Sequence, residues 1–581
     1  MKKFFIPIIA LCLTFSLTGC DDYLDYKPTA VIDEDKAFQD PEGMVTSAYA
    51  MLGDCWYTYP FNLWPYGDLA SDDCLKGGSG TTDTDYHQVE VFSTLTPTLG
   101  HLDELWYRLY CAISRCNRAI LSLNEYGNSK LGEATTKQRL AEVKFLRAHF
   151  YYKLFTVFNK IPWIDEEVYK NGTQEQTSND ALTHEQLWDK IIGDFQYAYD
   201  NLPEQTTDGG GRANKVAAAA YLAKCYLDRA WGDGYEETTG VNFINKDYMQ
   251  KVVDYTDVVV RSGKYGYLED YGDIFLPDYN NSKESIFSIQ ASDYKDDHTT
   301  FGRANWSNTL NGTWGMWSCG WDFQKPSQDF VNAFKTKDGL PEFDTYAETN
   351  DYPVNGQPTA QKWDPRLFHT VGMPTFPYKY EKDYTLTKAN SRTPNTYGYY
   401  TDLKCVPQRS KGETYNYPWQ AFAMNEYMLR YTQTMLDRAE ALIELDRLSD
   451  ARDIINAIRQ RAANSISKHI EYAADQCQIS PYPESYFATK EKARQCLRWE
   501  RRLEMGMEGS RFFDLRRWGI ASETLNNYFK SEAKDVYDGQ PYAEYYKDAN
   551  FTPGKNEFWP VPYNQLYYIP GLYTQNKGYD K

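Results

Sequence analysis

Apolar residues three and four apart recur from Lys36 to Ser262 and again from Tyr427 to Glu508, and residues 264–423 between them show no such spacing. That interruption constrains the fold more than any other feature, because a 3.6-residue period places one face of each segment in a core. His101 to Glu125 sets Trp106, Leu109, Tyr110, Ile113, Asn117, Ile120 and Leu121 on one face, and Gln138 to Phe158 does so with Leu140, Val143, Leu146, Tyr151, Leu154 and Phe155 before Pro162 ends it. Further helices are expected over Lys36 to Leu52, Thr183 to Asn201, Ala213 to Ala230 and Asp247 to Ser262, the last through Val252, Tyr255, Val258 and Val259. Ala217, Ala218, Ala219, Ala220 and Ala223 are small enough for a neighbouring helix to approach closely. Helices resume over Tyr427 to Leu445, Ser449 to Ala463, with Ser449 as N-cap, and Lys490 to Glu508. Consecutive antiparallel pairs predict a mainly α fold, a tetratricopeptide-like helical-pair scaffold without a strict repeat of about 34 residues.

Residues 264–423, rich in Gly, Pro, Asn, Tyr and Trp with a strand-like run at Ser285 to Gln290, predict a large irregular lobe inserted into that scaffold. Gly53 to Gly100 and the segment from Asp535 onward also predict loop. The expected division is a leader over 1–19, an N-terminal helical region over 20–263, the inserted lobe over 264–423, and C-terminal helices with a loop-rich end over 424–581.

Lys2 and Lys3 precede an apolar run, Phe4 to Leu17, that closes on Leu17-Thr18-Gly19-Cys20. The run is too short for an ordinary transmembrane helix and reads as a lipoprotein leader cut before Cys20, whose thiol takes the lipid; the mature chain is anchored to a membrane and does not span it. A net charge of −19 argues against nucleic acid and anionic lipid as ligands and predicts a neutral or basic partner. Nine cysteines remain after Cys12 and Cys20, with no C-x-x-C pair; Cys55 with Cys74 is a conceivable bridge, and buried free thiols are the alternative. The seven histidines lack paired spacing, so no zinc site is expected. Asp83-Thr84-Asp85 begins like a calcium loop without the remaining ligands, so no cofactor is read and a structural cation is not legible. No nucleophile elbow, Walker loop or dinucleotide fingerprint occurs.

Aromatic residues make up 16% of the chain, and carbohydrate is the ligand class that most rewards flat amphipathic faces beside acids, amides and Arg. Trp306, Trp314, Trp317 and Trp321 lie among Asn305, Asn308, Asn311, Asp322 and several glycines, at spacings that fit neither helix nor strand. They are the leading candidates to stack on sugar, Trp314 and Trp317 first, with packing of the lobe as the alternative. An early cluster of Trp56, Trp64, Asp68, Asp72, Asp73 and Tyr86 is second, although Asp72 and Asp73 fit a tight turn equally well. Arg366 and Tyr399 follow. Glu500, Arg501, Arg502, Glu504, Arg511, Asp514, Arg516 and Arg517 resemble a catalytic array but are read as structural ion pairs between helices.

The ordered set Cys20-Asp21-Asp22-Tyr23-Leu24-Asp25, Cys116-Asn117, Ala141 to Ala148, Gly211-Arg212-Ala213, Arg438-Ala439-Glu440-Ala441, Glu500-Arg501-Arg502, Arg511 to Gly519, Trp559-Pro560-Val561-Pro562 and Gly578-Tyr579 resembles the SusD/RagB-like outer-membrane nutrient-binding lipoproteins over essentially the whole chain. Ser71 to Gly80, Lys325-Pro326-Ser327-Gln328 and Asp364 to His369 are similar to the larger branch that includes fructan-binding members. The resemblance implies a helical scaffold that caps a SusC-like TonB-dependent transporter and delivers oligosaccharide or polysaccharide to it without enzymatic turnover. It places the early loop beside the binding face, and Asp21 and Asp22 go with export to the cell exterior. Two rival readings stand beside it: a surface glycoside hydrolase, since aromatics with carboxylates also describe that site, and a helical-repeat scaffold that binds only protein.

Overall fold

The computed structural model describes residues 34–205, 211–232, 244–292, 304–316, 320–353, 360–411, 421–534, 536–537 and 540–579. The leader, Cys20 and Trp317 lie outside the described residues. Nine principal helices form the scaffold: α1 (Pro41–Ala50), α2 (Gly100–Ser122), α3 (Glu133–Phe158), α4 (His184–Asn201), α5 (Lys215–Ala230), α6 (Lys246–Arg261), α7 (Tyr431–Glu444), α8 (Leu448–Asn464) and α9 (Lys490–Met505). α10 (Arg511–Arg517) and α11 (Ala521–Glu532) follow. Each helix from α1 to α8 packs on the next, including α6 on α7, and α9 packs on α7. The fold is the helical-pair stack expected from the spacing. The stack is interrupted along the chain but continuous in space.

Local chemistry sets most boundaries. Thr183 and Gln186 form a reciprocal capping box at the start of α4, and the Asn214 side chain accepts the Ala217 N–H at the start of α5. α2 is one-sided, burying Leu102, Leu105, Trp106, Leu109, Ile113, Cys116 and Ile120. α3 differs: from Ala141 to Phe155 it is buried nearly all round, because α2 and α4 flank it, and its Glu142, Arg147, His149 and Lys153 are interior. Arg147 is therefore met by Asp194 at 2.7 Å and by Asn117 at 2.9 Å. α3 ends at Asn159, whose φ of 58° turns the chain before Pro162 is reached.

Several boundaries move. Residues 427–430, expected as the start of a helix, belong instead to a strand, β4 (Glu426–Arg430), that pairs antiparallel with β2 (Ser285–Ile289) before α7 begins. Ser449 lies inside α8, whose N-cap is Arg447. α11 was not legible, and the presumed loop 53–100 contains a helix at Thr84–Val91 and a strand, β1 (Cys74–Gly77). β1 pairs with β3 (Phe323–Pro326) in the inserted lobe, Cys74 opposite Pro326, fastening the early segment to the lobe. Cys55 and Cys74 are both buried free thiols, so the conceivable bridge is absent. Among the described residues no helix is long and apolar enough to cross a membrane.

The charged residues of α9 tie these parts together. Glu504 accepts from Arg430 at 2.9 Å, Arg461 at 2.5 Å and Arg366 at 3.2 Å, and Glu500 from Arg366 and Arg459 at 2.5 and 3.1 Å. Arg501 reaches Asp437 on α7 and Asp514 on α10, each at 2.7 Å. Burial opposes ionisation of Glu504, yet Arg461, Arg430, Arg366 and Lys404 outweigh it and hold the carboxyl well below its ordinary range. The array expected to be structural is so: its groups bridge helices, lobe and early segment. Arg516 is a variation, donating to the carbonyls of Thr156 and Glu557 at 2.8 and 2.9 Å.

Candidate functional site

Residues 310–316 and 320–323 are drawn together, with the Phe323 N–H donating to the Leu310 carbonyl at 3.1 Å and the Asp322 N–H to that of Gly312 at 2.9 Å. Gly320 sits at φ 75°, and a Cβ there would lie 2.1 Å from the Thr313 carbonyl oxygen, so this position admits only glycine. Asp322 and Gln324 also occupy the left-handed region, at φ 61° and 52°. They are held there by side-chain bonds: Asp322 Oδ2 accepts from Lys325 Nζ at 2.7 Å and from the Arg392 N–H at 2.8 Å, while Gln324 Nε2 donates to Asp68 at 2.8 Å.

That rigid base presents Trp314 and Trp321, both half-buried. The Arg392 guanidinium lies between them, 5.1 Å from each indole. Among the described residues it has no carboxylate within ion-pair distance, and its side chain is half-buried. Asn390 donates to the Trp314 carbonyl at 3.2 Å and to the Tyr384 hydroxyl at 3.1 Å, and Arg409 covers the Tyr384 ring at 4.4 Å. Tyr399 lies in the same region, under the Lys388 amine at 5.3 Å. Two indoles, a guanidinium, an amide and tyrosines on a stiff loop suit a flat, hydroxyl-rich ligand whose C–H faces stack and whose hydroxyls accept from Arg.

The structure takes the other candidates away from solvent. Trp306 is 3% exposed and packs on Trp56 with ring centroids 5.1 Å apart. Trp64 is buried against Tyr86 at 5.2 Å. Asp68 accepts the Gly509 N–H at 2.8 Å, at a place where the backbones approach so closely that a Cβ on Gly67 would meet the Gly509 oxygen at 1.9 Å. Asp72 is gripped by Arg511 at 2.8 and 2.9 Å, and Asp73 by Arg502 at 2.7 Å. Arg366 is fully buried between Asp364, Glu500 and Glu504. A buried carboxylate or guanidinium is tolerated only when paired, so Asp72, Asp73 and Arg366 are framework residues and not ligand contacts. Burial and the charge of Asp72 raise the Asp73 carboxyl to about 6 against the pull of Arg502.

Sequence reasoning missed Arg392, Asn390 and Tyr384. They stand in an aperiodic polar stretch, and only the fold brings them to the 310–323 loop. Asp270, Asp273 and His469 gather their ligand atoms within 4.8 Å, but Lys468 Nζ already sits 2.6 Å from both Asp273 oxygens. Two cavities of about 120 and 70 Å³ are smaller than ordinary ligand pockets.

A model of the SusD family matches residues 283–579, and one described as "Starch-binding associating with outer membrane" matches residues 22–227. A SusD-like protein P2 of Formosa agariphila is 25% identical over the whole of both chains, and the starch-binding protein SusD of Bacteroides thetaiotaomicron is 21% identical over 100% of this chain and 99% of its own. Among solved structures, a SusD homolog from Bacteroides thetaiotaomicron superposes with a TM-score of 0.70 at 20% identity, covering 93% of this chain and 96% of that one. A laminarin-binding SusD-like protein superposes with a TM-score of 0.64 at 20% identity, covering 92% and 99%.

Proposed function

The chain belongs to the SusD family, and from that premise we propose that it captures an oligosaccharide or polysaccharide through the Trp314, Arg392 and Trp321 face and delivers it to a SusC-like TonB-dependent outer-membrane transporter. The observation that carries this reading is the guanidinium held between two half-buried indoles, with no carboxylate within ion-pair distance among the described residues. Trp317, outside the described residues, stays a proposed contact on the ground of its place in the sequence beside Trp314. Relatives named for starch, laminarin and surface-glycan binding support the ligand class. Family membership supports association with the outer membrane, where a lipid on Cys20 would hold the chain facing the exterior.

The proposed action is capture without cleavage. A glycosidase needs two carboxyl groups roughly 5 to 10 Å apart on either side of the scissile bond. Asp322, the acid at the base of the loop, is buried and engaged by Lys325, Ser391 and Arg392. The test is a panel of neutral and charged polysaccharides against the protein beginning after Cys20, by affinity electrophoresis and calorimetry, with release of reducing ends assayed in the same tubes. Saturable binding of one glycan class without release is expected; release of sugar would replace the reading with an enzyme.

A further inference from the structure

Arg494, Arg498 and Arg502 stand four residues apart on α9 and share one face. Arg494 grips both oxygens of Glu444 at 2.7 and 2.6 Å, and Arg502 is taken by Asp73 and Asp329 at 2.7 and 2.6 Å. Arg498 between them has no hydrogen bond or ion pair among the described residues; its guanidinium lies over the Trp518 indole at 5.0 Å. Burial lowers it to about 10, with Glu440 and Glu444 on α7 drawing it up and Arg494 and Arg517 pressing it down. Arg498 lines a cleft of about 600 Å³ together with Lys492, Gln495, Trp499 and Thr524; two acids share the lining, Asp72, which Arg511 neutralises, and the exposed Glu491. That volume lies in the range of small-molecule sites, unlike the two smaller cavities.

We propose that this cleft is a seat for an oxyanion carried on a sugar, a carboxylate or sulfate group received by Arg498 with the sugar ring beside Trp499. The guanidinium fork matches either group with two parallel hydrogen bonds, Trp518 is buried beneath it as the platform on which it rests, and the half-buried Trp499 offers the aromatic face that sugar C–H groups prefer. In a chain of net charge −19, an arginine left unneutralised beside open space selects for anions where the surrounding surface repels them. The sugar half of this proposal rests on the glycan-capture reading; the oxyanion half does not.

The test titrates the protein beginning after Cys20 with glucuronate oligosaccharides, a sulfated sugar, their uncharged counterparts and inorganic sulfate, followed by tryptophan fluorescence and calorimetry at low and high salt. The acidic sugars are expected to bind roughly tenfold more tightly than the uncharged ones, to weaken as salt rises, and to lose at least that factor in Arg498→Gln while Arg498→Lys keeps part of it. Equal binding of charged and uncharged sugars, or binding that survives Arg498→Gln, would overturn the proposal. So would inorganic sulfate binding as tightly as the sulfated sugar, which would make the cleft a seat for free anions. Should the variants fail to fold, the charge and salt comparisons on the wild-type protein decide it. Binding of acidic sugars with a silent neutral panel and unaltered by Trp314→Ala would support this seat and remove the case for the Trp314 face.

Discussion

Two regions of this molecule set arginines among aromatic and acidic side chains, and they use the same residue types to opposite ends. In the interior around α9, Arg366, Arg430, Arg461, Arg501 and Arg502 are each met by carboxylates from other elements. At the loop 310–323, Arg392 is met by two indoles and by no carboxylate among the described residues. A buried guanidinium that has its counter-charges holds parts of the chain together and has nothing left for a ligand. One that is stacked but not neutralised is held in place while its hydrogen bonds remain to be made. The partner, more than the residue type, separates framework from function.

The contrast is broken or sharpened by substitution on either side. The largest effect is expected in the interior: Arg366→Ala leaves Glu500 and Glu504 short of a buried cation and should cost about 3–5 kcal/mol of stability, read by urea unfolding. A loss under about 1 kcal/mol, the surface ion-pair range, would mean the array is not the tie we describe. pH sharpens the same claim. Glu504 has a depressed carboxyl value, so the stability it contributes is whole above its ordinary 4.5 and drains as pH falls below that. The melting-temperature gap between wild type and Glu504→Gln should therefore close on acidification below 4.5, and a widening gap would reverse the sign we assign.

On the open side, Trp314→Ala and Trp321→Ala should each weaken glycan binding by about 2 kcal/mol, roughly thirtyfold, with the melting temperature nearly unchanged. Matched losses of stability and binding would make these indoles core residues. Gly320→Ala should cost more than the about 1–2 kcal/mol of its left-handed backbone, because the added Cβ also meets the Thr313 carbonyl oxygen, and should weaken binding by displacing both indoles, seen by running the titration and the melt on one sample. The smallest change is expected for Arg392→Lys, a few-fold loss of affinity as the planar stack is replaced by a point charge, about 0.5–1 kcal/mol. An affinity unchanged by that substitution would remove the guanidinium from the site.

Much of the scaffold was legible because its helices are patterned by burial, as in α2, where the apolar face reads directly from Leu102 to Ile120. β4 was not, since Glu426–Arg430 continues into α7 without a break in composition and its strand pairing depends on Ser285–Ile289, far along the chain. The site was half legible. Clustered tryptophans among glycines marked the loop, but Trp306 and Trp314, alike in composition, are separated only by what packs on them. Asp72 and Arg366 looked like ligand contacts because a carboxylate or guanidinium near glycines has the same sequence signature whether its partner is a sugar or another side chain. Arg392 carried no signal at all, because its meaning lies in two indoles some seventy residues away.

The packing of α6 on α7 bears on the order in which this chain acquires its structure. α6 ends at Arg261 and α7 begins at Tyr431, so the apolar surface formed by Met249, Val252 and Val253 emerges long before Leu436, Ala439 and Ile443 arrive to cover it. A chain delivered from its N-terminus holds a half-built stack with a sticky open end while the whole lobe is still being threaded through. Such a contact between distant segments makes closure slow. The exposed end of α6 is thus the point at which unfinished molecules would cling to one another or to a chaperone, and the lobe that carries Trp314 settles only when the last helices lock the stack beneath it.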